Sequence, residues 1–188
     1  MKFIVEETFI PDVKVILPQL FEDDRGFFME VFNKTDFNLL GIPSHFVQMN
    51  HSRSEKNVIR GLHFQWSPPM GKLMRVTRGE AYLVAVDIRK NSPTLGKWYG
   101  DYFSEKNKKQ LWAPAGCARG ICTLSTITEV QYLITGEYKP KNESEILWND
   151  SDIGINWPID FPILSDKDKN AQTFKEWLIT PESNYFIL

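Results

Sequence analysis

Turn-forming residues recur so often along this chain that only short extended segments fit between them. Residues 13–17 form a β-rich run that stops at Pro18, and residues 26–32 follow the turn Asp23-Asp24-Arg25-Gly26. The runs 46–50, 58–65, 72–77, 81–88, 98–103, 110–113, 118–124 and 129–135 come next, with Gly79, Asn91-Ser92-Pro93 and Pro114-Ala115-Gly116 among the breaks. Glycine, proline and asparagine interrupt strands because they supply a positive φ, a fixed φ or a side chain that bonds nearby backbone. Many short strands at such spacing predict a mainly β domain, built as a jelly roll, sandwich or barrel. Residues 81–86, Ala-Tyr-Leu-Val-Ala-Val, are apolar at both parities, which predicts a strand covered on both faces. Helix is scarce: about two turns over 34–40, ending at Gly41, and a further helix within 165–177.

The chain has 188 residues, which suits one domain, 1–188, with a sizeable core. Its net charge is −2 with 24% charged residues, so no basic excess points to a nucleic-acid partner. Cys117 and Cys122 have no histidine nearby. That makes a poor zinc signature and no disulfide framework, so they read as buried thiols of a reducing compartment. The start, Met1-Lys2-Phe3-Ile4-Val5-Glu6-Glu7-Thr8, is too short and too charged for a signal peptide. No segment approaches the roughly 20 apolar residues of a membrane span. A soluble, cytoplasmic protein without a membrane partner is expected.

The chemistry concentrates in Arg60-Gly61-Leu62-His63-Phe64-Gln65 and Gly71-Lys72-Leu73-Met74-Arg75-Val76. An imidazole, an ammonium and a guanidinium close together suit proton abstraction beside a carbonyl, with one cation for the enolate and another for a phosphate. With only three histidines in the chain, His63 has few rivals. A lone strand histidine nevertheless reads first as a packed, hydrogen-bonded residue. Lys72 reads either as a strand-edge lysine snorkelling to water or as one pointing inward with Met74 and Val76, whose parity it shares. Arg60 and His63 have opposite parity, so a regular strand sends them to opposite faces; a bulge at Gly61 would bring them together.

The other polar candidates each have a plain structural reading beside the functional one. Arg25 and Glu30 read as a turn charge and a solvated strand residue. Gln48 and Asn50 share a parity and suit either a ligand or a solvated edge. Tyr132 sits in an apolar run, where packing with a bonded hydroxyl is the default. Lys167 and Asp168 belong to the charged stretch Asp166-Lys167-Asp168-Lys169, ordinarily a solvated surface. For a metal, His45 and His51 flank a predicted strand, His63 is followed by Phe64-Gln65, and there is no His-x-His, so a three-histidine centre is not expected. G-x-G-x-x-G and P-loop patterns are missing too, which argues against nicotinamide binding or nucleotide hydrolysis.

Taken together, several segments resemble the RmlC-type dTDP-4-dehydrorhamnose 3,5-epimerase family. They include Asp23-Asp24-Arg25-Gly26-Phe27-Phe28-Met29-Glu30, Gln48-Met49-Asn50-His51-Ser52, Arg60-Gly61-Leu62-His63-Phe64-Gln65, Gly71-Lys72-Leu73, Asp87-Ile88-Arg89-Lys90-Asn91-Ser92-Pro93-Thr94 and Ile153-Gly154-Ile155-Asn156-Trp157-Pro158. The resemblance spans nearly the whole chain. It implies a cupin-type jelly roll with a few short helices, working as a homodimer without metal or other cofactor on a nucleotide-linked, dTDP-type 4-keto-6-deoxyhexose. It implies that His63 removes a proton from carbon 3 or carbon 5, that Asp168 orients His63, that Lys72 stabilises the enolate and that Tyr132 returns a proton from the opposite face. Arg25, Glu30, Gln48, Asn50, Arg60, Glu143 and Lys167 match positions that hold the nucleotide, its phosphates or the sugar.

Three departures stand out. Where the family reads Pro-x-Gly-Phe-Ala-His-Gly, this chain has Pro114-Ala115-Gly116-Cys117-Ala118-Arg119-Gly120, so Arg119 takes the place of a histidine that touches the sugar. Arginine stays charged and does not serve as a base near neutral pH, but it can hold an oxygen. Met49 stands where the family has aspartate, and Leu133-Ile134-Thr135-Gly136 replaces a lysine-containing run. The expected activity is epimerisation at carbon 3, carbon 5 or both, in deoxysugar biosynthesis of the dTDP-rhamnose type. The alternatives are inversion at one centre only, a different nucleotide sugar, a non-catalytic sugar-nucleotide-binding module and a metal-dependent cupin.

Overall fold

The computed structural model describes residues 2–187 and distributes the strands over two main sheets and a detached hairpin. The larger sheet has six strands in the order β1 (Phe3–Glu7), β2 (Lys14–Pro18), β10 (Gln110–Ala113), β7 (Lys72–Arg78), β12 (Ile127–Ile134) and β5 (Gln48–Glu55). The second has five: β13 (Glu143–Glu145), β6 (Ile59–Gln65), β11 (Cys117–Thr123), β8 (Glu80–Asp87) and β9 (Trp98–Ser104). All these pairings are antiparallel. The sheets face each other as a jelly-roll sandwich, and the hairpin of β3 (Leu20–Asp23) and β4 (Gly26–Met29) stands apart.

The apolar pattern explains the layering. Met74 and Val76 of β7, Leu111 of β10 and Val130 of β12 meet Ala81, Leu83 and Ala85 of β8 in the core between the sheets. The other parity of β8, Tyr82, Val84 and Val86, packs outward against Phe174, Trp177 and Phe186 of the C-terminal segment. Period-two side chains leave each face of a strand its own neighbours, so a strand apolar at both parities needs two layers over it. The expectation for residues 81–86 holds for that reason. On the far side of the six-stranded sheet, Phe37 of helix α1 (Lys34–Leu39) covers Phe3, Ile16, Leu73 and Trp112. Asn33 caps α1, its side chain accepting from the amides of Thr35 and Asp36.

Most expected strands appear within one or two residues of their sequence bounds. Strands β1, β3 and β13 were not foreseen, because exposed apolar or acidic residues break the alternation in Phe3–Glu7 and Leu20–Asp23, and Glu143–Glu145 has no apolar residue at all. Pro18 ends β2 from inside rather than outside, at the last pairing with Phe3. The single helix expected within 165–177 is two: α2 (Asp166–Lys169) and α3 (Phe174–Ile179), the latter opened by a Thr173/Glu176 capping box. Among the described residues no helix is long and apolar enough to cross a membrane.

Candidate active site

The site begins with an irregularity in β6. His63 lies opposite Arg119 of β11, but Arg60 lies opposite Ile121, so β6 carries one more residue than its partner over this stretch. Gly61 makes the bulge possible. Its φ is +136°, and a Cβ there would sit 2.7 Å from the Arg119 carbonyl oxygen and 2.8 Å from Gly120 Cα. The extra residue turns Arg60 and His63, which a regular strand would separate, toward one lobe of a cavity.

That lobe, about 120 Å³, is lined by Ser52, Arg60, His63, Lys72, Met74, Arg119, Ile121 and Tyr132. A second lobe of about 160 Å³ shares Lys72 and Tyr132 and adds Gln48, Asn50, Gln65, Tyr138 and Glu143. Lys72, Tyr132, Gln48 and Asn50 come from the six-stranded sheet; His63, Arg60, Arg119 and Glu143 come from the five-stranded sheet. His63 and Tyr132 thus reach the same space from opposing walls. A larger cleft of about 410 Å³ lies elsewhere, lined by Asp12, Arg89, Trp112 and Tyr185 among others. It holds no histidine, lysine or glutamate, and Arg89 is tied by two bonds of 2.9 Å to Asp87, so the smaller cavity is the one with acid–base capacity.

Within it, His63 Nε2 lies 2.5 Å from Asp168 Oδ1, which leaves Nδ1 as the nitrogen able to take a proton. Asp168 is 3% exposed and also accepts from Ser165 Oγ at 2.7 Å and from the Gly61 amide at 3.4 Å. Burial alone would raise the Asp168 pKa, but the bonds from His63 and Ser165 outweigh it and hold the carboxyl below its ordinary range. Lys72 Nζ sits 5.1 Å from the centre of the Tyr132 ring. Burial, helped by the nearby Arg119 charge, pulls the Lys72 pKa down to about 7. Burial and Glu143 push the Tyr132 phenol up, against Arg60 and Arg119. The arrangement holds a base with a fixed partner, a half-buried phenol across the cavity, and Lys72 and Arg119 in the same walls. It suits removal of a proton on one side of a ring and its return on the other.

The remaining expected residues divide. Gln48 and Asn50 line the second lobe and bond each other at 2.7 Å. Glu143 lines it too, and its carboxylate accepts from Lys167 Nζ at 2.8 Å, which places Lys167 at the rim rather than on an open charged surface. Lys167 also pairs with Glu145 at 3.2 Å. Arg25 and Glu30 are not part of the cavity. Arg25 is at the exposed tip of the β3–β4 hairpin, paired with Asp23 at 2.5 Å, and Glu30 binds Lys2 at 2.5 Å. Among the described residues there is no group of three or more histidine, cysteine, aspartate or glutamate side chains arranged to hold a metal ion.

A family model described as dTDP-4-dehydrorhamnose 3,5-epimerase matches residues 7–176. The chain belongs to the dTDP-4-dehydrorhamnose 3,5-epimerase family. It is 51% identical over 180 residues to the dTDP-4-dehydrorhamnose 3,5-epimerase of Salmonella typhimurium, covering 94% of this chain and 98% of that one. Its fold matches that of the Legionella pneumophila dTDP-6-deoxy-D-glucose-3,5-epimerase in complex with dTDP-4-keto-L-rhamnose, with a TM-score of 0.91, 42% identity and 96% of each chain covered. It also matches a 3'-monoepimerase from Streptomyces bikiniensis in complex with dTDP-quinovose, with a TM-score of 0.86, 30% identity, and 90% of this chain and 87% of that one covered.

Among this epimerase family's members, the chain's departures fall unevenly on the site. Met49 is 62% exposed and lines neither lobe. Arg119, by contrast, is 3% exposed in the wall of the His63 lobe and donates from Nη1 to the Met70 carbonyl at 2.8 Å. Burial pulls its pKa down to about 10, so it remains charged at neutral pH. Sequence reasoning missed Ser165, Tyr138 and Gln65. Ser165 was legible as the cap of a Ser-x-x-Asp helix start: it accepts from the Asp168 amide at 3.1 Å while steadying the Asp168 carboxylate. Tyr138 carried no signal, and Gln65, although inside the 60–65 motif, has its amide bonded to the Pro68 and Glu137 carbonyls and the Lys139 amide.

Proposed function

We propose that this chain, an epimerase of cofactor-independent type, inverts carbon 3, carbon 5 or both of a dTDP-linked 4-keto-6-deoxyhexose in deoxysugar biosynthesis. One observation carries the residue assignments: His63 and Tyr132 line a single lobe from opposing sheets, with Lys72 beside the phenol. His63, with its other nitrogen bonded to Asp168, takes the proton next to the ketone. The C–H pair becomes a C=C bond and the carbonyl π pair moves onto oxygen, where Lys72 balances the charge. Tyr132 then protonates the carbon from the far side, and the C=O bond re-forms. A base acting alone would tend to restore the starting centre, so the opposing phenol is what makes the outcome an inversion. Arg60, Gln48, Asn50, Glu143 and Lys167 hold the sugar and its diphosphate, and this anchoring positions the ring.

Arg25 and Glu30 suit the same role only if the hairpin that carries Arg25 reaches another copy's cavity. Phe21, Phe27 and Phe28 on that hairpin are 46, 52 and 65% exposed, unusual for large apolar groups and fitting a covered surface in a homodimer. The two buried, unbonded cysteines fit a reducing cytoplasm.

The test is incubation with dTDP-4-keto-6-deoxyglucose in deuterated water, followed by NMR. Deuterium at carbons 3 and 5 is the expected result, and label at one carbon assigns a single-centre epimerase. Binding without label would reduce the chain to a sugar-nucleotide-binding module and end the catalytic reading. Tyr132→Phe is expected to slow inversion more than deuterium wash-in; equal losses would remove Tyr132 as the opposing acid.

A further inference from the structure

The cavity holds more cationic groups than carboxylates can pair. Arg60 donates from Nε to Ser54 Oγ at 2.9 Å and from Nη2 to the Arg53 carbonyl at 3.5 Å. Lys167 is taken up by Glu143 and Glu145. Arg119 differs. Only its Nη1 has an acceptor, the Met70 carbonyl, while Nε and Nη2 are buried with no partner, and among the described residues it makes no ion pair. Leaving a buried donor without an acceptor costs about 1–3 kcal/mol, more for a charged group. A wall residue with two such donors is therefore primed for an incoming oxygen, and most of all for one that gains negative charge.

Its place in the fold says which oxygen. Arg119 is the cross-strand neighbour of His63 and lines the lobe in which the base acts. Lys72 enters that lobe from the facing sheet, and burial and mutual repulsion disfavour the charge on Lys72, with Glu143 only partly offsetting them. We propose that Arg119 is a second oxyanion-holding group of the reaction, its Nε and Nη2 donating to the sugar's ketone oxygen as that oxygen becomes an enolate. This role rests on the epimerase reading above and adds to it. As His63 takes the proton, the carbonyl π pair moves to oxygen and meets Arg119 on one side and Lys72 on the other. When Tyr132 returns a proton to carbon, the pair goes back to re-form C=O and the charge leaves the clamp. A planar guanidinium offers two parallel donors, which a lysine does not reproduce.

The experiment compares wild type, Arg119→Gln and Arg119→Lys by deuterium wash-in, by kcat and KM, and by calorimetric binding of dTDP itself. Losing an oxyanion donor typically lowers kcat by about 10²–10³-fold, and that is the fall expected for Arg119→Gln, with KM and dTDP affinity little changed. Arg119→Lys keeps the charge but not the fork and is expected to lose roughly tenfold in kcat. A kcat within about threefold of wild type in a folded Arg119→Gln, or a loss confined to KM and dTDP binding, overturns the proposal. Should circular dichroism show Arg119→Gln unfolded, Arg119→Lys decides alone, and wild-type kcat in that variant overturns it. Wild type that exchanges no deuterium sinks the epimerase reading, and this role with it. Active wild type with indifferent variants sinks only the role of Arg119.

Discussion

His63 and Lys72 show how far a residue's surroundings, rather than its type, decide its chemistry. The 2.5 Å bond to Asp168 fixes which nitrogen of His63 is free, and Asp168 is itself held by Ser165 and Gly61. His63→Ala is therefore expected to lower deuterium wash-in by about 10²–10⁴-fold, the usual worth of a positioned base, while dTDP still binds. Near-normal exchange in that variant would remove His63 as the base. Lys72 makes a pH prediction. With its pKa pulled to about 7, the free enzyme loses this ammonium as pH rises through 7, so kcat/KM falls on the alkaline side. Lys72→Arg keeps its charge there and is expected to lose that limb. A wild-type profile flat from about pH 7 to 9 would contradict the assignment. For stability the sign is opposite: the unfolded chain holds this proton up to its ordinary 10.5, so between about 7 and 10.5 unfolding takes up a proton and this group's contribution to stability rises with pH.

At the scale of the element, the bulge in β6 decides whether there is a site at all. The residue types were legible in the sequence, and so was the parity conflict between Arg60 and His63. The resolution was legible only as a possibility at Gly61, because a bulge is settled by the partner strand and not by the bulged one. The register of Arg119 and Ile121 against His63 and Arg60 supplies what the sequence lacked. Asp168 is the converse case. In sequence it sits in a charged run that reads as solvent-facing, yet helix α2 turns it inward to 3% exposure while Lys167 stays at the rim. Gly61→Ala tests the bulge directly. The added Cβ would collide with the Arg119 carbonyl and Gly120 Cα at a φ that side chains disfavour. A loss of about 2 kcal/mol or more is expected, which for a chain of this length lowers Tm by roughly 4–8 °C, together with a large loss of activity. Wild-type Tm and activity would mean that the strand accommodates alanine and that the bulge does not depend on glycine.

At the scale of the whole molecule, the sandwich was legible because its cause is periodic: turn residues set strand length, and the two apolar parities of β8 demand the two layers that cover it. What was not legible is where the hairpin goes. The resemblance leads one to expect Arg25 among the ligand-holding residues, but within one chain its guanidinium is taken up by Asp23 at an exposed tip. If the hairpin completes the cavity of a second copy, each active site combines His63 from one chain with Arg25 from the other. Arg25→Ala and His63→Ala would then be separately defective yet complementary. A mixed dimer places the intact His63 of one variant beside the intact Arg25 of the other and so rebuilds one of its two sites. Random reassociation of equal amounts makes about half the dimers mixed, so roughly a quarter of wild-type activity is expected to return. Measuring epimerisation before and after mixing under subunit exchange, with the mixed dimer confirmed by mass, gives the answer. Activity that stays at the sum of the two variants although mixed dimers are present would confine Arg25 to its own chain, and a monomer by light scattering would exclude the exchange of hairpins altogether.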